Sequence, residues 1–194
     1  MLAYLQGKFT YKNPAQVYVD VSGVGYEVNI SLNTYSAIQS LEQGKLFTHL
    51  QIKEAGHTLF GFFERAEKEI FLQLINVSGV GAATARLMLS NLKPAEVASA
   101  IVQGNVKLLE SVKGIGKKTA ERLVLELKDK LNKSTTDNNL TISLGNSFGQ
   151  DALNALVALG ISRPMAETAI NKTNLNSPGI TNLEELIKKA LKAI

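Results

Sequence analysis

The chain has 194 residues, of which 45% are hydrophobic and 20% charged, as in an ordinary soluble globular protein of one large or two to three small domains. No apolar run approaches the roughly 18 residues of a membrane span, and the opening Met1-Leu2-Ala3-Tyr4-Leu5-Gln6-Gly7-Lys8 lacks the basic-then-apolar order of a secretory signal, so the cytoplasm is expected. Zero cysteines exclude disulfides, thiolate metal sites and a cysteine nucleophile, and His49 and His57 cannot form a multi-histidine ligand set unaided, so no metal or cofactor is expected.

Residues 1–63 read as a barrel domain. Apolar and polar positions alternate with period two through Val17, Val19 and Val21, then Tyr26, Val28 and Ile30, then Leu46, Thr48, Leu50 and Ile52. Gly23-Val24-Gly25 is a tight turn between two strands, and Lys53-Glu54-Ala55-Gly56 joins a later pair, Leu46–Ile52 and His57–Phe63. With a first strand near Leu2–Thr10 and a short helix at Tyr35–Leu41, about five strands result, which fits an OB-fold, with an SH3-like barrel as the alternative.

At Glu64 the period becomes helical, with Ile70, Phe71, Leu74 and Ile75 on one stripe, and an all-α segment runs over 64–133. Pro94 suits a first helical turn, where its missing N–H costs nothing. This segment holds 12 Lys and Arg against 8 Asp and Glu, whereas residues 1–63 hold 4 of each, so the attraction to a polyanion concentrates here. Residues 134–147 are polar and aperiodic, and are expected to form a flexible linker. Over 148–194, Leu153, Leu156 and Leu159, then Ala166, Ala169 and Ile170, then Leu183, Leu186, Ile187 and Leu191 predict a small third domain of three short helices.

The all-α segment contains a repeat. Val77-Ser78-Gly79-Val80-Gly81 with Thr84 and Ala85 recurs 35 residues later as Val112-Lys113-Gly114-Ile115-Gly116 with Thr119 and Ala120. In a helix-turn-helix of this kind the glycines permit a tight turn, the aliphatic between them anchors it in the core, and the alanine lets helices pack closely. The turn aims free N–H groups of the second helix outward, an anion site for which phosphate is the natural ligand. Candidate DNA-binding residues are therefore Gly79, Val80, Gly81, Lys113, Gly114, Ile115, Gly116, Lys117, Lys118 and Arg122. Ala82 and Ala83 stand where the second copy has Lys117 and Lys118, so the second hairpin is expected to bind more strongly. A phosphate-binding P-loop is excluded, because its pattern needs Gly at 111 and Ser or Thr at 118, which are Ser111 and Lys118.

These residues, together with Ser22-Gly23-Val24-Gly25-Tyr26-Glu27-Val28, Gly61-Phe62 and the run Gly114 to Leu123, resemble the RuvA family, the Holliday-junction-binding subunits of the bacterial branch-migration complex. The resemblance covers residues 1 to about 131 most specifically, and the domain order agrees: OB-fold barrel, tandem helix-hairpin-helix, linker, and a small three-helix (UBA-like) domain. It implies a fourfold-symmetric homotetramer, or an octamer on DNA, holding an open four-way junction for recombination and repair. It further implies sequence-independent grip through the hairpins, recruitment of the hexameric RuvB ATPase by the C-terminal domain, and the RuvC resolvase as a third member. Leu153, Leu156 and Leu159 are candidates for the motor contact. In the family, acidic residues on the turn between the last two barrel strands stand at the junction centre; here Glu54 keeps one such charge and Ala55 replaces the second.

Two other readings compete. A helix-hairpin-helix glycosylase or nuclease would need a catalytic Lys or Asp in a pocket, or clustered carboxylates, yet Asp20, Asp129, Asp137 and Asp151 are scattered among segments. A barrel that stacks single-stranded bases would need exposed aromatics, for which Phe60, Phe62 and Phe63 are the candidates, although all three suit a core or a subunit contact equally.

Overall fold

A computed structural model describes residues 2–54, 56–139, 147–176, 180 and 182–193. The period-two segments form β1 (Tyr4–Asn13), β2 (Gln16–Val21), β3 (Val24–Ile30), β4 (Gln43–Lys53) and β5 (Gly56–Phe62). They close into a barrel in the order β1-β2-β3-β5-β4, with β1 pairing antiparallel to β4. Neighbours are antiparallel apart from a short parallel match of β3 with β5 at Asn29–Phe60 and Ile30–Gly61. Gly61 is required at that closure, since a Cβ there would lie 2.4 Å from Val28 Cγ1. The closed five-stranded barrel with a helix between its third and fourth strands is the OB-fold, and the SH3-like alternative falls.

Local differences from the expectations have identifiable causes. The helix between β3 and β4, α1 (Leu32–Ile38), starts three residues earlier than Tyr35, because the Ser31 hydroxyl caps it by accepting from the Thr34 N–H at 3.0 Å. The β2–β3 turn falls on Ser22 and Gly23, with Val21 facing Val24, so Val24 and Gly25 already belong to β3. β1 extends three residues past Thr10, along a register that shifts between Phe9 and Tyr11.

Helices α2 (Arg65–Ile75), α3 (Ala82–Asn91), α4 (Pro94–Gln103), α5 (Val106–Glu110) and α6 (Lys117–Asn139) follow, with Pro94 at the first position of α4. The barrel has its own core around Val17, Val19, Val28, Ile30 and Leu46. Phe60 and Phe62 of β5 do not join it. They point into the helical core, where their ring centroids lie 5.1 and 4.8 Å from that of Phe71 on α2. Barrel and helices therefore share one compact unit, Met1–Thr136.

The second unit, Asp137–Ile194, contains α7 (Ser147–Ala158), α8 (Arg163–Asn176) and α9 (Leu183–Lys192) around Ala152, Leu153, Leu156, Ala166, Ala169, Ile170, Leu186 and Ala190. Of the expected linker 134–147, residues 134–139 continue α6 and residues 140–146 lie outside the described residues. Among the described residues no helix is long and apolar enough to cross a membrane.

Candidate nucleic-acid interface

The two copies of the repeat fold alike. In each, a helix ends, six residues turn the chain, and a second helix begins: α2 to α3 through Gly79-Val80-Gly81, and α5 to α6 through Gly114-Ile115-Gly116. Gly79 and Gly114 have φ of 92° and 94°, a left-handed conformation that residues with a Cβ adopt only at a cost of about 1–2 kcal/mol. The turns are closed by the same bonds, Val80 N–H to the Val77 carbonyl at 3.0 Å and Ile115 N–H to the Val112 carbonyl at 3.1 Å.

The two hairpins pack reciprocally. A Cβ on Gly79 would sit 3.7 Å from the Thr119 hydroxyl, and one on Gly114 would sit 3.8 Å from the Thr84 methyl, so each first glycine rests against the other copy's threonine. Ala85 and Ala120 are fully buried, which lets the helices approach closely, as their place in the repeat requires. The matched threonine and alanine positions thus have a common physical reason in a pseudo-twofold seam.

Gly79, Gly81, Gly114 and Gly116 are exposed, and the space beside Gly81 and Gly116 is open. Gly81 is the N-cap of α3 and offers no side chain to its first-turn N–H groups. An open helix N-terminus favours an anion by about 0.3–1 kcal/mol, so one hairpin is a weak site and several must act together. Lys113, Lys117 and Lys118 are exposed around the second turn.

The side chains of Val80 and Ile115 are each only 5% exposed, so these residues can offer a ligand their backbone alone. Arg122 is half-exposed beside the second hairpin, but its guanidinium donates to the Ser78 carbonyl at 3.3 Å and lies 3.7 Å from Glu126, tying the second hairpin to the first. In the C-terminal unit Leu153 and Leu156 are core residues, since the stripe that suggested a contact surface faces α8 and α9, whereas Leu159 is 64% exposed.

Glu54 is exposed in the two-residue turn between β4 and β5, where Lys53 pairs with Gly56; Ala55 lies outside the described residues. His49 and His57 do not form a site. His49 faces Phe60 and packs on Phe71, and burial followed by the nearby Lys68 charge holds its pKa below the usual imidazole value. His57 is exposed opposite Ile52. Among the described residues, no group of three or more His, Asp or Glu side chains could hold a metal ion. Phe60 and Phe62 are buried and cannot stack on bases, while Phe63 is exposed.

Sequence reasoning missed two groups at the barrel–helix seam. Glu67 lies inside the charged run Glu64-Arg65-Ala66-Glu67-Lys68-Glu69, which reads as a solvated helix start, yet it is 3% exposed and accepts bonds from the Ser31 and Thr34 hydroxyls. Burial raises its pKa above the ordinary carboxylate value despite those two bonds. Arg86 donates to the Ala15 carbonyl at 3.1 Å and to Asn29 Oδ1 at 2.9 Å, and burial lowers its pKa.

A closed OB barrel fused to paired helix-hairpin-helix turns with open helix N-termini and adjacent lysines defines a class of DNA-binding protein. Family models agree segment by segment: the RuvA N terminal domain matches residues 1–61, the SAM-like helix-hairpin-helix tandem residues 71–129, and the RuvA C-terminal domain residues 149–194. The chain is similar to the Holliday junction branch migration complex subunit RuvA of Christiangramia forsetii, at 46% identity over 194 residues covering the whole of both chains. It is likewise similar to the subunits of that name from Flavobacterium psychrophilum, at 47% over 192 residues, and Cytophaga hutchinsonii, at 45% over 198 residues, each alignment covering 99% of both chains. The chain belongs to the RuvA family.

Proposed function

We propose that this chain binds four-way DNA junctions through their phosphates, without regard to base sequence, as the DNA-holding subunit of a branch-migration complex in the cytoplasm. The observation that carries this reading is the reciprocal pair of hairpins, which sets two open helix N-termini and three exposed lysines on one fold. Phosphate contacts supply grip without sequence preference, as a migrating junction needs.

Junction specificity then comes from assembly. A homotetramer brings eight hairpins to the arms of one junction, and an octamer encloses it from both sides. Four Glu54 carboxylates meet near the symmetry axis, where at about 4 Å in water each repels a phosphate by roughly 1 kcal/mol, less with salt. The DNA contacts are the backbone of Gly79–Gly81 and Gly114–Gly116 with Lys113, Lys117, Lys118 and, beside its link to Ser78, Arg122. The C-terminal unit recruits the RuvB ATPase ring through exposed apolar groups that include Leu159, and RuvC completes the complex. The chain itself performs no catalysis.

A band-shift titration tests this directly. A four-way junction should be bound far more tightly than a linear duplex of equal length, and equal affinity for the two would refute the reading. Removing residues 140–194 should leave junction binding intact and abolish stimulation of the motor.

A further inference from the structure

The seam between the barrel and the hairpins is built from directional polar contacts as well as apolar ones. At one end, Glu67 of α2 accepts from Ser31, the cap of α1, and from the Thr34 hydroxyl at 2.6 Å, while Thr34 Oγ1 accepts from the Phe63 N–H at 3.0 Å. One buried carboxylate thus fastens the barrel helix, the end of the barrel and the first hairpin's leading helix. At the other end, Arg86 of α3 reaches into the barrel to the β1–β2 turn at Ala15 and to Asn29 of β3. Between them, Asn33 donates to the Leu89 and Leu92 carbonyls at 2.5 and 3.0 Å, and the Leu32 N–H donates to Ser90 Oγ at 3.1 Å.

A buried charged group is a poor way to add stability, because well-packed apolar side chains of the same volume are often neutral or better by about 1–4 kcal/mol. Hydrogen bonds differ from apolar packing in fixing an angle: a slipped or rotated interface leaves a buried donor or acceptor without a partner. At this seam the angle matters, since the barrel carries Glu54 and α3 carries the open end of the first hairpin.

We propose that Glu67 and Arg86 are positioning residues for junction discrimination: together they set the orientation of the Glu54 turn relative to the hairpins, and so determine how well an open four-way junction is preferred over duplex. This rests on the junction-binding reading above. Neither residue touches DNA in this account. Their loss acts on the ratio of the two affinities, not on duplex grip.

The test uses the full-length assembled protein. Glu67→Leu, which removes both acceptors, and Arg86→Lys, which keeps the charge but ends one atom short of Nη1, the single nitrogen that serves both acceptors, are titrated with a four-way junction and with a linear duplex. The expected result is a fall of about ten-fold in the junction-to-duplex preference with duplex affinity unchanged, and recovery in Glu67→Gln, which retains an acceptor. Because the chain has no cysteine, spin labels can also be placed at His57→Cys and Ser78→Cys, with labelled chain diluted into unlabelled chain. Without DNA, the distance distribution between them should be narrow in the parent and shifted or broadened in Arg86→Lys, a variant mild enough to fold.

An unchanged preference, an equal fall in both affinities, or an unmoved label distance would each overturn the proposal. A parent protein that binds junction and duplex equally would instead overturn the junction-binding reading, and the label distances would still report whether Arg86 holds the seam.

Discussion

The two hairpins share their turn, their glycine geometry and their backbone bonds, yet they present different chemistry. Lys117 and Lys118 open α6 and both are exposed, whereas Ala82 and Ala83 open α3 and only Ala83 is exposed. Ala82 is 4% exposed and belongs to the helical core. A lysine is excluded there by packing, so the weaker charge of the first hairpin follows partly from its burial in the fold. The repeat conserves what the turn needs and varies what the surroundings allow.

The largest expected effect tests the shared part. Ile115→Ala should destabilise the Met1–Thr136 unit by about 2–5 kcal/mol, the usual cost of truncating a buried aliphatic, read from urea unfolding. Val80→Ala, which removes less volume from the equivalent place, should cost less. If Ile115→Ala leaves stability unchanged, the central aliphatic does not anchor its turn.

Charge is the next test. Replacing Lys117 and Lys118 together with Ala should reduce the slope of log affinity against log salt by about 1.8 on duplex DNA, from roughly 0.9 per phosphate contact. An unmoved slope would remove both lysines from the interface. Gly79→Ala and Gly114→Ala should each cost about 1–2 kcal/mol, nearly equally, because both glycines hold the same left-handed φ and neither Cβ meets an obstacle closer than 3.7 Å. Unequal costs would show that the hairpins differ in strain as well as charge.

The smallest effects concern the seam and the single free position. Glu67 has a folded pKa raised above its ordinary value, so its contribution to stability is fully present below the normal carboxylate range and is lost as pH rises through the raised value. Glu67→Gln should therefore gain on the parent as pH rises from 4 to 7, measured as the difference in urea midpoints; a constant difference would show that the group does not titrate abnormally. Ala83→Lys, the one exposed alanine of the first hairpin, should steepen the salt slope by up to about 0.9. No change would mean that α3 does not approach a phosphate.

Much of this was legible in the residues. The repeat could be read because its glycines, threonines and alanines each answer a local steric demand, and such demands recur at fixed spacing. The barrel could be read from its alternation, although α1 began at Leu32 because the cap at Ser31 decided its start. Burial set by distant elements could not be read: nothing near Glu67 or Arg86 in the chain distinguishes them from solvated charges, and their partners Ser31, Thr34, Ala15 and Asn29 lie 33 to 71 residues away. The stripe through Leu153 and Leu156 was periodic for a core as much as for a partner, and only the positions of α8 and α9 separated them.

The tilted packing of Phe60 and Phe62 against Phe71 has a mechanical side. If duplex is drawn past the hairpins, the pull enters the protein through both of them, and the share that reaches α2 can pass on to the barrel. Close-packed interiors have low compressibility, and three aromatic rings with centroids 4.8 and 5.1 Å apart give the load a short, stiff path from α2 into β5. The subunit can then resist tension as one piece, and the work of the motor goes into moving DNA more than into deforming its holder.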